Sequence, residues 1–358
     1  MVAGLDRAGL ARPWSLVGLN AVFLFLALAC ANYVAIHHFE LNRDWSLASL
    51  LFTALSFALI KHFPLTLTDI PFFGTSMAAV ALAVKAEKEL GACYYAWWAA
   101  ALFTSLFSAL IRPTAIALFP CLLWSLSVKL GVGKFLFGNK KIVIGCAVLT
   151  TVLACVAAVV LLHTIYVRGA LLVFAHQGLG RGIRDMVRYR LEEIGELILN
   201  APVSKLGRAS SLVWLAAFAG IAVLPAIARR CKLRTVEVYM ASYLFIVLVW
   251  PYGDARFWVP VLPLLYAELF SAARPWTFTG WEKYLGAAYA TGYALMGLAA
   301  FAYSTLITFS GSNFPSRYGD GNLRPTYQLF YNHAKVKTDK IDLPTLEVLE
   351  RYAGPPRR

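Results

Sequence analysis

The chain has 358 residues, 59% of them hydrophobic and 15% charged, with a mean hydropathy of +0.64. A soluble domain carries about a quarter charged residues, so this composition excludes an ordinary soluble protein and predicts an all-α, polytopic membrane protein. The formal net charge is +14, but the positive residues fall in loops without a basic helix or stacking platform, which fits anionic headgroups and excludes nucleic acid as a partner.

About ten apolar runs approach the length of a membrane span, about 17–25 residues. In chain order they are Leu16 to Ile36, Trp45 to Ile60, Pro71 to Val84, Ala92 to Ile111 and Pro113 to Val128. Ile142 to Tyr166, Ser211 to Ala228, Val236 to Trp250, Ala255 to Ala272 and Tyr284 to Thr308 follow. The third run is short enough to be tilted or half-buried. The transmembrane module is expected over 1–308 and a short polar tail over 309–358. Nearly all of the six cysteines lie inside apolar runs and none forms a Cys-x-x-Cys pair, so they read as small buried hydrophobes and not as a disulfide or metal framework.

The loops after the odd-numbered runs as far as the ninth hold Arg43, Lys85, Lys88, Lys129, Lys134, Lys140, Lys141, Arg229, Arg230, Lys232, Arg234, Arg274 and Lys283. The opposite short loops offer little more than Lys61, Arg112 and Arg256. By the positive-inside rule the first set is cytoplasmic, and Asp69, Arg112 and Arg256 share the outer face. The N-terminus then starts outside. The expectation is that a first transmembrane helix is missing from this sequence; a protein with a short translocated N-terminal tail is the alternative.

The segment 167–210 forms a long outer loop. Within it Ile183, Met186, Val187, Leu191, Ile194, Leu197 and Ile198 recur at helical spacing, with Arg184, Asp185, Arg188, Arg190, Glu192, Glu193 and Glu196 on the other side. This predicts an amphipathic helix in the outer interface.

Three outer-face stretches could carry chemistry. The first is the polar break Lys61 to Pro71, which holds His62, Thr68 and Asp69. Asp69 could act as a general base or hold an acceptor group, or it could only cap the helix that Pro71 helps to start. The second is Arg112-Pro113-Thr114, whose guanidinium could clamp a phosphate or snorkel to headgroups. The third is Tyr252 to Pro260, where Asp254 and Arg256 are spaced for a loop pair, and where Pro260 and Pro263 would kink the helix that follows. His62 and His163 could contact phosphate, although an interfacial histidine usually has no chemical role. His37, His38 and Glu40 fall on the other face, and Glu268 lies toward the cytoplasmic end of the ninth run.

These three stretches resemble the GT-C superfamily of integral membrane glycosyltransferases, in the manner of the family-39, dolichyl-phosphate-mannose mannosyltransferase-like enzymes. Thr68-Asp69-Ile70-Pro71 is similar to the acidic turn of the family's second outer loop. Ile111-Arg112-Pro113-Thr114 is similar to its Arg-Pro-Thr step. Arg256-Phe257-Trp258-Val259-Pro260-Val261-Leu262-Pro263 is similar to its Arg-Tyr-x-x-Pro-x-x-Pro run. The resemblance implies a sugar donor linked to a polyprenyl phosphate, an unidentified lipid, glycan or protein acceptor, and transfer at the outer face of a membrane, here the periplasmic face of a bacterial inner membrane. It implies that Asp69 is catalytic or holds acceptor or metal, that Arg112 and Arg256 hold phosphate with His62 and Lys61 nearby, and that Asp254 orients Arg256. The need for a divalent metal is left open. The family's first outer loop and its acid have no counterpart, in keeping with the topology, and the chain as given could be inactive. A transporter or lipid flippase and a non-catalytic membrane scaffold remain as alternative readings.

Overall fold

The computed structural model describes residues 13–63, 69–130, 178–228, 233–250, 253–273 and 280–309. The sixth apolar run, the basic loop with Lys134, Lys140 and Lys141, His163, Thr68 and the tail from Ser310 lie outside the described residues. The chain divides into two units, Met1–Gly145 with Ile183–Phe301, and Cys146–Gly182 with Ala302–Arg358. The account below concerns the first.

Its described residues are helical. The longer helices are α1 (Pro13–His37), α2 (Arg43–Ala54), α3 (Phe57–His62), α4 (Asp69–Lys88), α5 (Gly91–Ile111) and α6 (Leu118–Lys129), then α7 (Leu179–Leu199), α8 (Ser211–Ala228), α9 (Thr235–Val249), α10 (Leu262–Ala273) and α11 (Trp281–Phe309). Among the described residues, five segments are long and apolar enough to cross a membrane: Val17–His37, Asp69–Lys88, Gly91–Ile111, Val203–Leu224 and Trp281–Leu306. Shorter apolar helical stretches cover Pro113–Lys129, Thr235–Val249 and Leu262–Ala273. Large apolar side chains such as Phe25, Phe103, Leu110, Phe218 and Phe245 are exposed. A surface of that kind is costly in water and ordinary against lipid tails.

α4 is the centre of the bundle. Its residues Phe72, Phe73, Met77 and Val80 are fully buried, whereas α11 exposes Leu285, Leu295, Leu298 and Phe301. The third apolar run is therefore a largely enclosed helix, longer than its apolar residues alone indicate. α4 packs along both α1 and α5. Small side chains permit that closeness: a Cβ added to Gly74 would lie 2.7 Å from the Phe23 carbonyl oxygen of α1. Asp69 opens the helix, and Lys85 and Lys88 fall in its last turn, which matches the helix dipole at both ends. At 1.5 Å per residue, α4 separates its ends by about 30 Å, roughly the hydrocarbon thickness of a bilayer.

Helix ends follow local rules at several places. Arg112 precedes a proline and is extended, at φ −151° and ψ 131°, as the ring of Pro113 requires. α5 stops there, and a 3-10 turn, Pro113–Ala117, leads into α6. The ninth run likewise splits into a 3-10 turn, Ala255–Trp258, and α10, since Pro260 and Pro263 donate no backbone N–H.

The second apolar run breaks where its hydropathy carries no warning. α2 ends at Ala54 and α3 starts at Phe57. Asn200 supplies what the break leaves open: its Oδ1 accepts from Phe57 N (2.7 Å), and its Nδ2 donates to the carbonyls of Leu55 (2.8 Å) and Tyr293 (2.9 Å). Asn200 follows α7 at φ +54°, a left-handed cap position that asparagine tolerates better than most residues.

Among the described residues, charged groups gather at both ends of α4. Lys88 meets His37 (3.2 Å), and Lys129 donates to the Glu89 carbonyl (3.1 Å). Arg234, Glu237 and His38 form one cluster, with Thr235 bonded to Glu87 beside it. Asp69, Arg112, His62, Asp254 and Arg256 meet at the other end.

Candidate functional site

The site begins at the ends of two packed helices. Asp69, in the first turn of α4, and Arg112, just past α5, form an ion pair. Asp69 is 2% exposed and the Arg112 side chain 12%. A buried carboxylate needs such a partner, because an unpaired charge there costs several kcal/mol.

The second part of the site is the 3-10 turn before α10. Asp254 caps it, accepting from Arg256 N at 3.0 Å, and its other oxygen lies 3.1 Å from Arg256 Nε. The pair is partly open, with about 30% of each side chain exposed. His62, at the end of α3 and buried, places Nε2 3.4 Å from Asp254. Burial pushes the His62 ring toward its neutral form against the pull of Asp254. Burial opposes the charge on Asp254 too, but His62, Arg256 and the turn's own N–H overcome it and hold the carboxyl well below the usual range. Asp254 is the anion here, and Arg256 is its permanent counter-charge.

Phe257 joins the two parts. Its ring lies 5.1 Å from the Arg112 guanidinium and 5.2 Å from that of Arg256, both within cation–π range. Arg112 also approaches the Phe72 ring at 6.0 Å. Two guanidiniums 144 positions apart in sequence thus approach one aromatic ring. Lys61 is half-buried beside His62, and its charge reaches both His62 and Glu196.

α7 supplies a carboxylate that the sequence pattern assigned to a solvated face. Arg190 and Glu193 are buried, whereas Ile183 and Val187 of the apolar stripe are about half exposed. Burial along α7 therefore does not follow the amphipathic split. Glu193 Oε2 accepts from Arg190 Nη1 (2.6 Å) and Trp258 Nε1 (2.7 Å), and Oε1 accepts from Asp254 N (2.6 Å). Arg190 also donates to the Trp250 carbonyl at 3.3 Å. Burial outweighs these partners and pushes the Glu193 carboxyl up to about 7. No local signal marks it. Arg188 and Glu192, an exposed pair on the same helix, have the same residue types at similar spacing.

Asp69, Arg112, His62, Asp254 and Arg256 thus converge, and Lys61 borders them. His37, His38 and Glu40 do not cluster at this end: His38 pairs with Glu237, and His37 with Lys88. Among the described residues no three His, Cys, Asp or Glu side chains converge as metal ligands, and the charge beside Asp69 is a guanidinium. The arrangement brings two arginines and their carboxylate partners near one ring, groups that can bind an anion and take a proton. No protein family, no curated protein and no solved structure matches this chain.

Proposed function

We propose that the chain is a membrane glycosyltransferase of the GT-C kind, moving a sugar from a polyprenyl-phosphate carrier to an acceptor. Its working face is the Asp69 end, turned to the periplasm in a bundle of about ten spans, with α7 lying along that surface. The observation that carries this reading is the approach of both Arg112 and Arg256 to the ring of Phe257, each beside its own carboxylate. A lipid-linked phosphate enters from the interface and needs fixed positive charge there. The acceptor hydroxyl attacks the anomeric carbon, the carbon–oxygen bond to phosphate breaks, and the phosphate leaves with the electron pair. Arg112 and Arg256 offset the charge that develops on the leaving oxygen. A phosphate drawn to Arg112 competes with Asp69, which frees the Asp69 carboxylate to take the hydroxyl proton.

The buried, closed Asp69–Arg112 pair also suits a non-catalytic scaffold, in which it only joins α4 to α5. Purified protein in nanodiscs, titrated with polyprenyl monophosphate, separates the readings. Arg256→Ala is expected to abolish binding while expression persists; unchanged binding overturns the role given to Arg256. Solute uptake in proteoliposomes without sugar transfer would favour a transporter. For orientation, Thr68→Cys should react with an impermeant thiol reagent in intact cells and Gly131→Cys should not.

A further inference from the structure

Glu193 spans the 3-10 turn that carries Arg256. Its two oxygens accept from Asp254 N, two residues before Arg256, and from Trp258 Nε1, two residues after it. The arginine is thus fixed at both flanks by one side chain from a distant helix. Gly253, at the head of the turn, lies against the Tyr189 ring of the same helix, where an added Cβ would come within 3.0 Å. Arg190 completes the clamp, holding Glu193 and the Trp250 carbonyl together. Burying a carboxylate and a guanidinium on one helix turn is costly, and here the cost is met by ordering the segment around Arg256. Packing alone does not call for charged groups at these positions.

We propose that Glu193 is a positioning residue: by clamping the Asp254 amide and the Trp258 indole it sets Arg256 to hold a phosphate anion. The proposal rests on the reading of Arg256 as a phosphate-binding residue. Glu193 itself touches no substrate. It acts through the turn, so α7 controls how well the donor phosphate is held.

The clamp responds to proton concentration. An ionised carboxylate takes N–H donors about twice as strongly as a neutral one. The charged groups around Glu193 are Arg190 on its own helix, Asp254 and Arg256 across the turn, and His62 and Lys61 from α3 beyond Asp254. Burial raises its carboxyl to about 7 against the pull of Arg190 and the two N–H donors. The clamp therefore tightens as pH rises through neutrality.

The test uses the full chain in nanodiscs and polyprenyl monophosphate as probe. Emission of Trp258, isolated by difference against Trp258→Phe, is expected to change between about pH 6 and about pH 8 and to stay flat in Glu193→Gln. Glu193→Gln is expected to weaken probe binding about tenfold, the size of one charge-assisted hydrogen bond, and to remove its pH dependence. Glu193→Asp should recover part of the affinity, and Trp258→Phe should lose part of it. Wild-type affinity in Glu193→Gln, with binding lost in Arg256→Ala, overturns this inference and leaves the proposed function standing. Wild-type affinity in Arg256→Ala overturns the proposed function and the phosphate role of the clamp. A flat Trp258 titration in the wild-type protein overturns the clamp whatever the probe does.

Discussion

The two ends of α4 use the same residue types to different effect. At the Lys88 end, charges largely serve helix termini. Glu237 accepts from Arg234 N (3.0 Å), Arg234 donates to the His38 carbonyl (2.9 Å), and Lys129 donates to the Glu89 carbonyl (3.1 Å). These are caps, and each satisfies a backbone group that a helix end leaves open. At the Asp69 end the charges close on each other. Asp69 takes Arg112, Asp254 takes Arg256 and His62, and Glu193 takes Arg190. Those pairs leave strong anion-binding groups beside an aromatic ring and a partly exposed opening. A cap has completed its role when the helix is folded, whereas a cluster of mutually paired charges can exchange a partner for a ligand. The contrast is one of degree, since Glu237 also pairs with His38 and Arg234 at the Lys88 end, and it is consistent with the site proposed at the Asp69 end.

Substitutions can break or sharpen this contrast. The largest effect is expected from Arg112→Ala, which leaves Asp69 buried without its partner. The loss should be about 3–5 kcal/mol, read from thermal or denaturant unfolding in detergent. The double variant Asp69→Asn, Arg112→Gln should recover much of it. If Asp69 keeps its stability without Arg112, the end is not built on paired charge.

The next effect is on pH dependence. Glu193 has a folded-state value of about 7, above its ordinary value near 4.3. Between those values the folded protein binds more protons than the unfolded chain, so stability falls as pH rises across that window. The span corresponds to about 3–4 kcal/mol at most, and Glu193→Gln should flatten it. Asp254 has the opposite sign. Its carboxyl is held below the usual range, so the stability it contributes is present above the ordinary carboxylate value and is lost as pH falls through the folded one. Unfolding midpoints measured from about pH 4 to about pH 8 test Glu193, and their fall below about pH 4 tests Asp254. A wild-type curve that matches Glu193→Gln over the upper part would remove the contrast.

Gly74→Ala is a packing control in the second turn of α4. The new methyl would meet the Phe23 carbonyl, so α1 must shift, at about 1–3 kcal/mol. Binding of polyprenyl monophosphate by the fraction that folds should be unchanged. The smallest effect is expected from Lys88→Ala at the capped end. Its contact with His37 is exposed, and its loss should cost about 0.5 kcal/mol or less. A loss near that of Arg112→Ala would erase the difference between the ends.

Much of this molecule was determined by the sequence. Among the described residues five apolar segments are long enough to cross a membrane, because local hydropathy decides what can face lipid, and α1, α5, α8, α9 and α11 start and stop close to the bounds of their runs. Pro113 and Pro260 mark turns because a ring without an N–H acts on its own neighbours wherever the chain goes. Charge counting sorted Lys88 from Asp69 because antiparallel spans separate alternate loops. Asp69, Arg112 and Arg256 stood out because a charge at the end of an apolar run must find a partner. Which partner it finds was decided only by the tertiary structure. The gap between α2 and α3 exists because Asn200, more than 140 positions away, satisfies its backbone. Arg190 and Glu193 turn inward because the Asp254 amide, the Trp258 indole and the Trp250 carbonyl are there to meet them. Arg112 and Arg256 share Phe257 because helices far apart in sequence end at one place. Hydropathy and sterics are local and can be read along the chain; the satisfaction of buried polar groups depends on distant residues and appears only once the chain has folded.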